Sequence, residues 1–297
     1  MSDELEFAFA LLLSGASIGL MYSLIALGFV LVYKATDAIN FAQGEFVMLA
    51  GMVVVTVLGM SAPLIAAIVA VLAVMIGFGF GLEKVVLRPL LGRPVVAVIM
   101  ATIGVAALLR GWGPLVLGIE TRALPLPIGD DPISIGPATL PPIQVLGAVV
   151  AVAFFLAFSW FFKKSRMGVA MRAVADNQQV AQAMGINVER YFALAWAMAG
   201  IVSALGGIVW GSMLGVDVQL ALVGLKVFPV VILGGLDSIG GALIGGLIIG
   251  IVESLAAGYL DPFVGGGTKD FAPYVLMILV LMVRPYGIFG RRQIERV

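Results

Sequence analysis

Four ionisable residues stand inside or at the edge of long apolar runs: Glu45, Arg110, Lys226 and Glu253. A charge in hydrocarbon is costly, so such a group pairs, snorkels to an interface or serves a transport path. The chain's composition limits the chemistry open to them. It has no cysteine and no histidine, which removes disulfides, thiolate chemistry, histidine metal sites and histidine proton relays. A G-x-x-x-x-G-K-[ST] phosphate loop is also absent from the sequence, so any ATP is handled by another chain. No Ser/Lys, paired-aspartate or metal-ligand constellation stands out. Charge pairing, hydrogen bonding and gating remain.

Each candidate has a structural and a functional reading. Glu45 follows "NFAQG" and suits the first turn of a helix, where a carboxylate meets the positive end of the dipole. Arg110 and Lys226 suit snorkelling to the outer interface. Glu253 lies well inside an apolar run and needs a partner from a neighbouring helix. Structural hydrogen bonding and gating both fit it. The stretch "TDAINFAQGEF", 36–46, brings Thr36, Asp37, Asn40, Gln43 and Glu45 between two apolar runs. A hydrated turn capping the adjoining helices is the simpler reading. The functional one is a break lining a translocation path near its inner mouth, with Asn40, Gln43, Glu45 and Glu253 as path candidates.

The elements that must position these residues are set by hydropathy. Of 297 residues, 62% are hydrophobic and only 11% charged, and the mean hydropathy is +1.15. A soluble domain of that composition would lack the polar groups to cover its surface. Several uncharged runs approach or exceed the roughly 20 residues that a helix needs to cross a bilayer. Long continuous runs exclude the weak ten-residue alternation of a membrane β-barrel. The expected fold is therefore all-α, one transmembrane domain over 1–297, with apolar segments at about 7–33, 46–60, 63–82, 94–117, 142–162, 191–214, 218–236, 239–258 and 271–284. Phe7 to Tyr33 is too long for a signal-peptide core, and it reads as a retained first span.

Lys and Arg in short loops favour the cytoplasm. Lys84, Arg88 and Arg93 mark one inside loop, and Lys163, Lys164, Arg166, Arg172 and Arg190 another. Arg291, Arg292 and Arg296 place the C-terminus inside. The proline-rich stretch 118–141 has one basic residue and three acids and reads as an irregular outside loop. Alternation then puts the N-terminus outside. Nine crossings satisfy every assignment. Eight fit if one piece of 218–258 is broken or re-entrant, as Pro229 and Gly234-Gly235 allow. Small-residue pairs four apart recur at Gly15/Gly19, Gly77/Gly81, Gly241/Gly245 and Gly246/Gly250, a spacing that lets helices approach closely in lipid. Residues 36–59 and 228–250 share a polar-and-glycine pattern that hints at a duplicated unit. Net charge is zero, so there is no global attraction to nucleic acid.

One polar stretch interrupts this pattern. From Ala170 to Met184 there is no Gly or Pro and alanine is frequent, so a short helix is expected, with Gly185 as its C-cap. Met171, Val174, Ala181 and Met184 share one stripe, and Arg172 and Asp176, four apart, occupy a more polar side. A loop helix on the bilayer, an interfacial anchor and a docking helix for a soluble partner all fit, although the lack of aromatics weakens the anchor.

"AVADNQQVAQAMGINV" resembles the coupling segment of bacterial ABC-importer permeases, which slots into a cleft on a cytoplasmic ATPase. Three further stretches agree: "GASIGLMYSLIALGFVLVYKATDAINFAQGEFVMLAG" at 15–51, "GLEKVVLRPLLGRP" at 81–94 and "FPVVILGGLDSIGGALIGGLIIGIVES" at 228–254. Together they resemble the smaller membrane subunit of branched-chain amino acid transporters, in the hydrophobic amino acid and urea/amide uptake family. The resemblance implies an ABC-importer type of helix bundle with 8–9 spans in the bacterial inner membrane and a coupling segment at about 163–190. It implies a second, pseudo-symmetric permease subunit, with a different chain favoured over a second copy of this one, two cytoplasmic ATPase subunits that bind the ATP and magnesium, and an extracytoplasmic solute-binding protein. Arg172, Asp176, Asn177, Ala181, Met184, Gly185 and Ile186 are then the coupling residues. Gly241, Gly245, Gly246 and Gly250 are packing positions, and the chain itself carries no cofactor and is not an enzyme. The rival readings are a urea or short-amide importer subunit and a stand-alone secondary transporter, which would need coupling-ion sites near midplane.

Overall fold

The computed structural model describes residues 3–129 and 131–290; Arg291, Arg292 and Arg296 lie outside them. Among the described residues, nine apolar helices form where nine apolar segments are expected. They are α1 (Asp3–Thr36), α2 (Gln43–Gly59), α3 (Leu64–Leu82), α4 (Val95–Leu117) and α5 (Pro142–Lys164). The set continues with α8 (Val188–Leu214), α9 (Leu222–Gly234), α10 (Ile239–Tyr259) and α12 (Thr268–Val283). The polar stretch holds α6 (Arg166–Asp176) and α7 (Gln178–Ala183), and a short α11 (Asp261–Val264) precedes α12.

Six of these helices are long and apolar enough to cross a membrane: α1, α3 with its extension to Leu90, α4, α5, α8 and α10. The other three are shorter. α2 has 17 residues, α9 has 13 and α12 has 16, so at about 1.5 Å per residue none reaches the ~30 Å of a hydrocarbon core by itself. The expected irregular loop at 118–141 contains a two-stranded antiparallel hairpin, β1 (Ile133–Ile135) with β2 (Ala138–Leu140), in the register Ile133↔Leu140. Gly136 at φ 61° makes its turn.

Two compact units divide the chain. One comprises Met1–Val30, Pro127–Val152 and Leu225–Val297, the other Leu31–Leu126 and Ala153–Gly224. In the first, the small residues of α1 and α10 set the packing distance. A Cβ on Gly15 would lie 2.7 Å from the Gly250 carbonyl oxygen, and one on Gly246 would lie 2.5 Å from that of Gly19 and collide with Ser23 Oγ. Ser23 Oγ donates to the carbonyls of Gly19 at 2.8 Å and Leu243 at 3.1 Å, stitching the helices where they touch. Gly241 and Gly245 serve the α9 contact, with the Gly234 and Val230 backbones against them. The Gly77/Gly81 pair differs: a Cβ at either position meets nothing within 4 Å among the described residues.

In the second unit α8 is the central helix, packed by α2 and α3. Its Gly207 lies under the Val47 carbonyl of α2, and a Cβ there would come within 2.7 Å of that oxygen. Gly200 and, from α3, Gly79 make the equivalent close approaches to the Met75 and Trp196 backbones. Lipid tails are as apolar as the helices, so this tight backbone packing supplies association that burial alone would not.

Gly246→Leu is therefore expected to destabilise the first unit by about 1–3 kcal/mol or more through overpacking. Gly77→Ala should leave stability unchanged. Thermal unfolding of detergent-solubilised protein, read by loss of the monodisperse peak, checks both.

Candidate functional site

The segment 36–46 is not a hydrated turn. Ala38, Asn40, Ala42, Gln43 and Glu45 are each at most 2% exposed, and only Asp37 stands open. The physical reason is a set of partners from α4 and α8 that replaces water. The Phe41 N–H donates to Thr102 Oγ1 at 3.2 Å. Asn40 accepts from the Ala42 N–H at 3.0 Å and donates through Nδ2 to Gln43 Oε1 at 3.1 Å. Gln43 Nε2 donates to Ser203 Oγ at 2.9 Å, and Ser203 donates to the Ala199 carbonyl at 2.8 Å. Irregular backbone is tolerated at membrane depth when protein groups satisfy it in this way.

Glu45 falls in the first turn of α2, as its position before the apolar run suggests. Arg110 does not snorkel away. Its Nε lies 2.9 Å from Glu45 Oε1, with Nη2 on the same oxygen. The Glu45 side chain is 3% exposed and that of Arg110 47%. The charge on Glu45 is thus balanced by a guanidinium that keeps part of its own surface open.

Glu253 belongs to the other unit and has its own partners. Tyr22 Oη donates to Glu253 Oε1 at 3.3 Å, and Lys226 Nζ lies 3.8 Å from the same oxygen. Lys226 also reaches Asp270 Oδ1 at 2.7 Å, so it bridges a buried and an open carboxylate instead of snorkelling alone. Glu253 Oε2 has no hydrogen-bond partner among the described residues. The four path candidates therefore fall into two separate groups. Tyr22, Thr102, Ser203 and Asp270 are partners that the sequence reading missed. The hydroxyls among them, on otherwise apolar or small-residue helices, were the available signal.

The polar stretch 163–190 forms two helices, not the single helix expected from Ala170 to Met184. Asn177 has extended backbone (φ −157°, ψ 106°), and its Oδ1 accepts from the Val180 N–H at 2.9 Å, capping α7. That local bond outcompetes helix continuation, a habit of Asn at helix starts. Gly185 follows α7 at φ 82°, and the Ile186 N–H bonds back to the Ala181 carbonyl at 3.0 Å, a glycine-dependent helix end. The expected stripe divides as well: Met171, Val174 and Ala181 are buried, whereas Met184 is 78% exposed. Arg172 turns inward. Its Nη1 donates to the Phe162 carbonyl at 2.5 Å and its guanidinium lies 5.7 Å from the Phe162 ring centre. Asn177, Val180 and Met184 form the open side, with Asp176 also exposed and Ile186 partly so.

A further ionic cluster sits where α3 ends. The π-helical turn Glu83–Leu87 carries Glu83, 1% exposed, which takes a two-point contact from Arg88 at 2.8 and 3.2 Å. Arg88 also reaches Glu189 in the first turn of α8 at 3.2 Å.

These features define an all-α, polytopic membrane protein with small-residue helix packing and a polar two-helix elbow. Residues 11–281 match the family described as "Branched-chain amino acid transport system / permease component". The chain is similar along its whole length to the high-affinity branched-chain amino acid transport system permease protein LivH of Escherichia coli (strain K12), at 32% identity over 100% of both chains. It is 33% identical to the permease protein BraD of Pseudomonas aeruginosa over 96% of this chain and 97% of that one. A probable LivH of Methanocaldococcus jannaschii is 30% identical over 90% and 88%. The chain belongs to the branched-chain amino acid ABC transporter permease family; it is a multi-pass membrane transport component and not an enzyme.

Proposed function

We propose that this chain is the membrane-spanning subunit of an ATP-driven importer for branched-chain and related hydrophobic amino acids. It forms half of the translocation path with a second permease, takes solute from an extracytoplasmic binding protein, and docks one of two cytoplasmic ATPases that bind the ATP. The N-terminus faces outward and the C-terminus inward. The full-length similarity to LivH and BraD carries the substrate class. The capped elbow of α6 and α7 supports the docking reading, because a rigid, open side of Asn177, Val180 and Met184 fits a groove on a soluble partner.

Within that elbow the roles divide. Asn177, Val180, Met184 and Ile186 meet the ATPase, with Asp176 at the rim, while Gly185 shapes the end of α7. Arg172 and Ala181 hold the elbow against its own frame. The buried segment 40–45, anchored on Thr102, Ser203 and Arg110, is the element whose shift relays ATPase closure to the path. Glu253 and Lys226 form the corresponding charged element in the other unit.

Affinity isolation from native membranes in gentle detergent tests the proposal. The expected result is co-isolation of a second permease and ATPase subunits, with uptake that survives an ionophore while ATP stays high. Isolation of the chain alone, with ionophore-sensitive uptake, would overturn it in favour of a secondary transporter.

A further inference from the structure

A cavity of about 230 Å³ opens beside the elbow, entirely within the unit that holds α2, α3, α4 and α8. Its walls come from the end of α1, the π-helical turn and the following bend, the start of α4, α7 and the first turns of α8. At the ~10–15 Å³ that one enclosed water needs in this measure, it has room for more than one water and for a small organic molecule such as an aliphatic amino acid.

The lining has three distinct chemical parts. Asp37 presents a carboxylate and Arg93 a guanidinium, and neither has an ion-pair partner among the described residues. Glu83 on the same cavity is held by Arg88. Leu90, Val98 and Phe192 supply an apolar wall. Trp196, also on the wall, is 0% exposed, and its indole N–H has no hydrogen-bond partner among the described residues. A buried donor left unpaired costs about 1–3 kcal/mol unless something accepts from it.

The backbone at Asp37 adds to this. Its φ of 53° is left-handed, and the residue is held there by its N–H on the Tyr33 carbonyl at 2.8 Å. Strain of that kind in a residue other than glycine clusters at ligand sites and switches. Burial also raises the Asp37 pKa, as expected for a carboxylate turned partly out of water without a cation beside it. Separate acidic and basic groups around an apolar pocket match one ligand class: a zwitterion with an aliphatic side chain, its ammonium on Asp37 and its carboxylate on Arg93.

We propose that this cavity is a binding site for a free aliphatic α-amino acid on the cytoplasmic side, and that its occupancy slows import. This rests on the orientation and the import function proposed above. The site adjoins the coupling elbow through Gln178, which lines the cavity from α7 and donates to the Ala35 carbonyl of α1 at 3.2 Å. A ligand bridging α1, α4 and α7 braces the elbow, so the motion that ATP binding must impose on it becomes less favourable. Product accumulating inside thereby restrains its own entry.

The test uses the complete transporter in proteoliposomes, with ATP inside and binding protein plus labelled leucine outside. L-leucine enclosed in the lumen is expected to slow initial uptake at least about fivefold, a coupling at the low end of the usual allosteric range. Leucinamide, which lacks the carboxylate, and 4-methylpentanoate, which lacks the ammonium, should have little effect. Asp37→Asn and Arg93→Gln should keep the uptake rate measured without lumenal amino acid and lose most of the inhibition. Equal inhibition in both variants, or equal inhibition by leucinamide and leucine, would overturn the site. Normal uptake with no effect of lumenal leucine would also overturn it while leaving the import function standing. Absence of ATP-driven uptake under every condition would remove the import function, and the site with it.

Discussion

Val180→Asp and Met184→Asp are each expected to detach the ATPase while leaving the membrane helices folded. Both side chains are largely open, at 57% and 78% exposure, and neither carries packing inside the chain that its loss would disturb. If this side of α7 enters a partner groove, an introduced carboxylate is buried there without a counter-charge. Interface positions of this kind cost about 2 kcal/mol or more when spoiled, which is roughly thirtyfold in affinity. The ratio of co-purified ATPase to permease should fall accordingly, and ATP-driven uptake should fall with it. Thermal stability of the permease itself should stay within a degree or two of the parent. Undiminished ATPase recovery in both variants would remove α7 as the docking element. Arg172→Ala should behave differently: its guanidinium braces Phe162, so the expected loss is of elbow order and local stability, with partner affinity reduced only as a consequence.

The contrast between Arg172 and Met184 shows what a sequence pattern can and cannot disclose. The polar stretch was legible because charge and alanine content change abruptly at Lys163 and again near Tyr191. Its internal geometry was not, because one side-chain bond from Asn177 to the Val180 N–H decides between one helix and two, and propensity is too weak to anticipate it. The nine apolar helices were legible for the opposite reason: hydropathy over some 20 residues sums many small preferences into one large one.

The burial of residues 40–45 has the same kind of cause. Asn40, Gln43 and Glu45 look like residues of a wet turn until Ser203, Thr102 and Arg110 are placed beside them. Those partners come from 60 to 160 residues away in the sequence, where no local signal marks them. Among the glycines, spacing identified candidates but not their use. Gly15, Gly19, Gly246 and Gly250 meet helix backbone, whereas Gly77 and Gly81 have the same spacing and an added Cβ there meets nothing within 4 Å among the described residues. Four-residue spacing records the helical period, and the neighbour has to be supplied by the tertiary fold.

Arg110→Leu carries the other large expected effect. Glu45 is 2% exposed, and Arg110 is its ion-pair partner among the described residues. Removing the guanidinium leaves a buried carboxylate without its counter-charge; breaking a fully buried pair from one side costs about 3–5 kcal/mol, and with Arg110 half open the expected cost is about 1–3 kcal/mol. Such a loss is a large share of the stability of any domain, so the variant should accumulate poorly and lose its monodisperse peak at moderate temperature. Replacing both members behaves differently, because buried ion pairs are often matched in stability by apolar groups of similar volume. The double variant Glu45→Leu/Arg110→Leu should therefore recover most of the stability lost by Arg110→Leu. Failure of the double variant to recover would mean that the two side chains do not act as a pair, against their 2.9 Å contact. Uptake by the recovered double variant then separates scaffold from path. Near-normal uptake confines the pair to holding α2 against α4, whereas a stable protein with uptake abolished assigns the Glu45 charge to translocation itself.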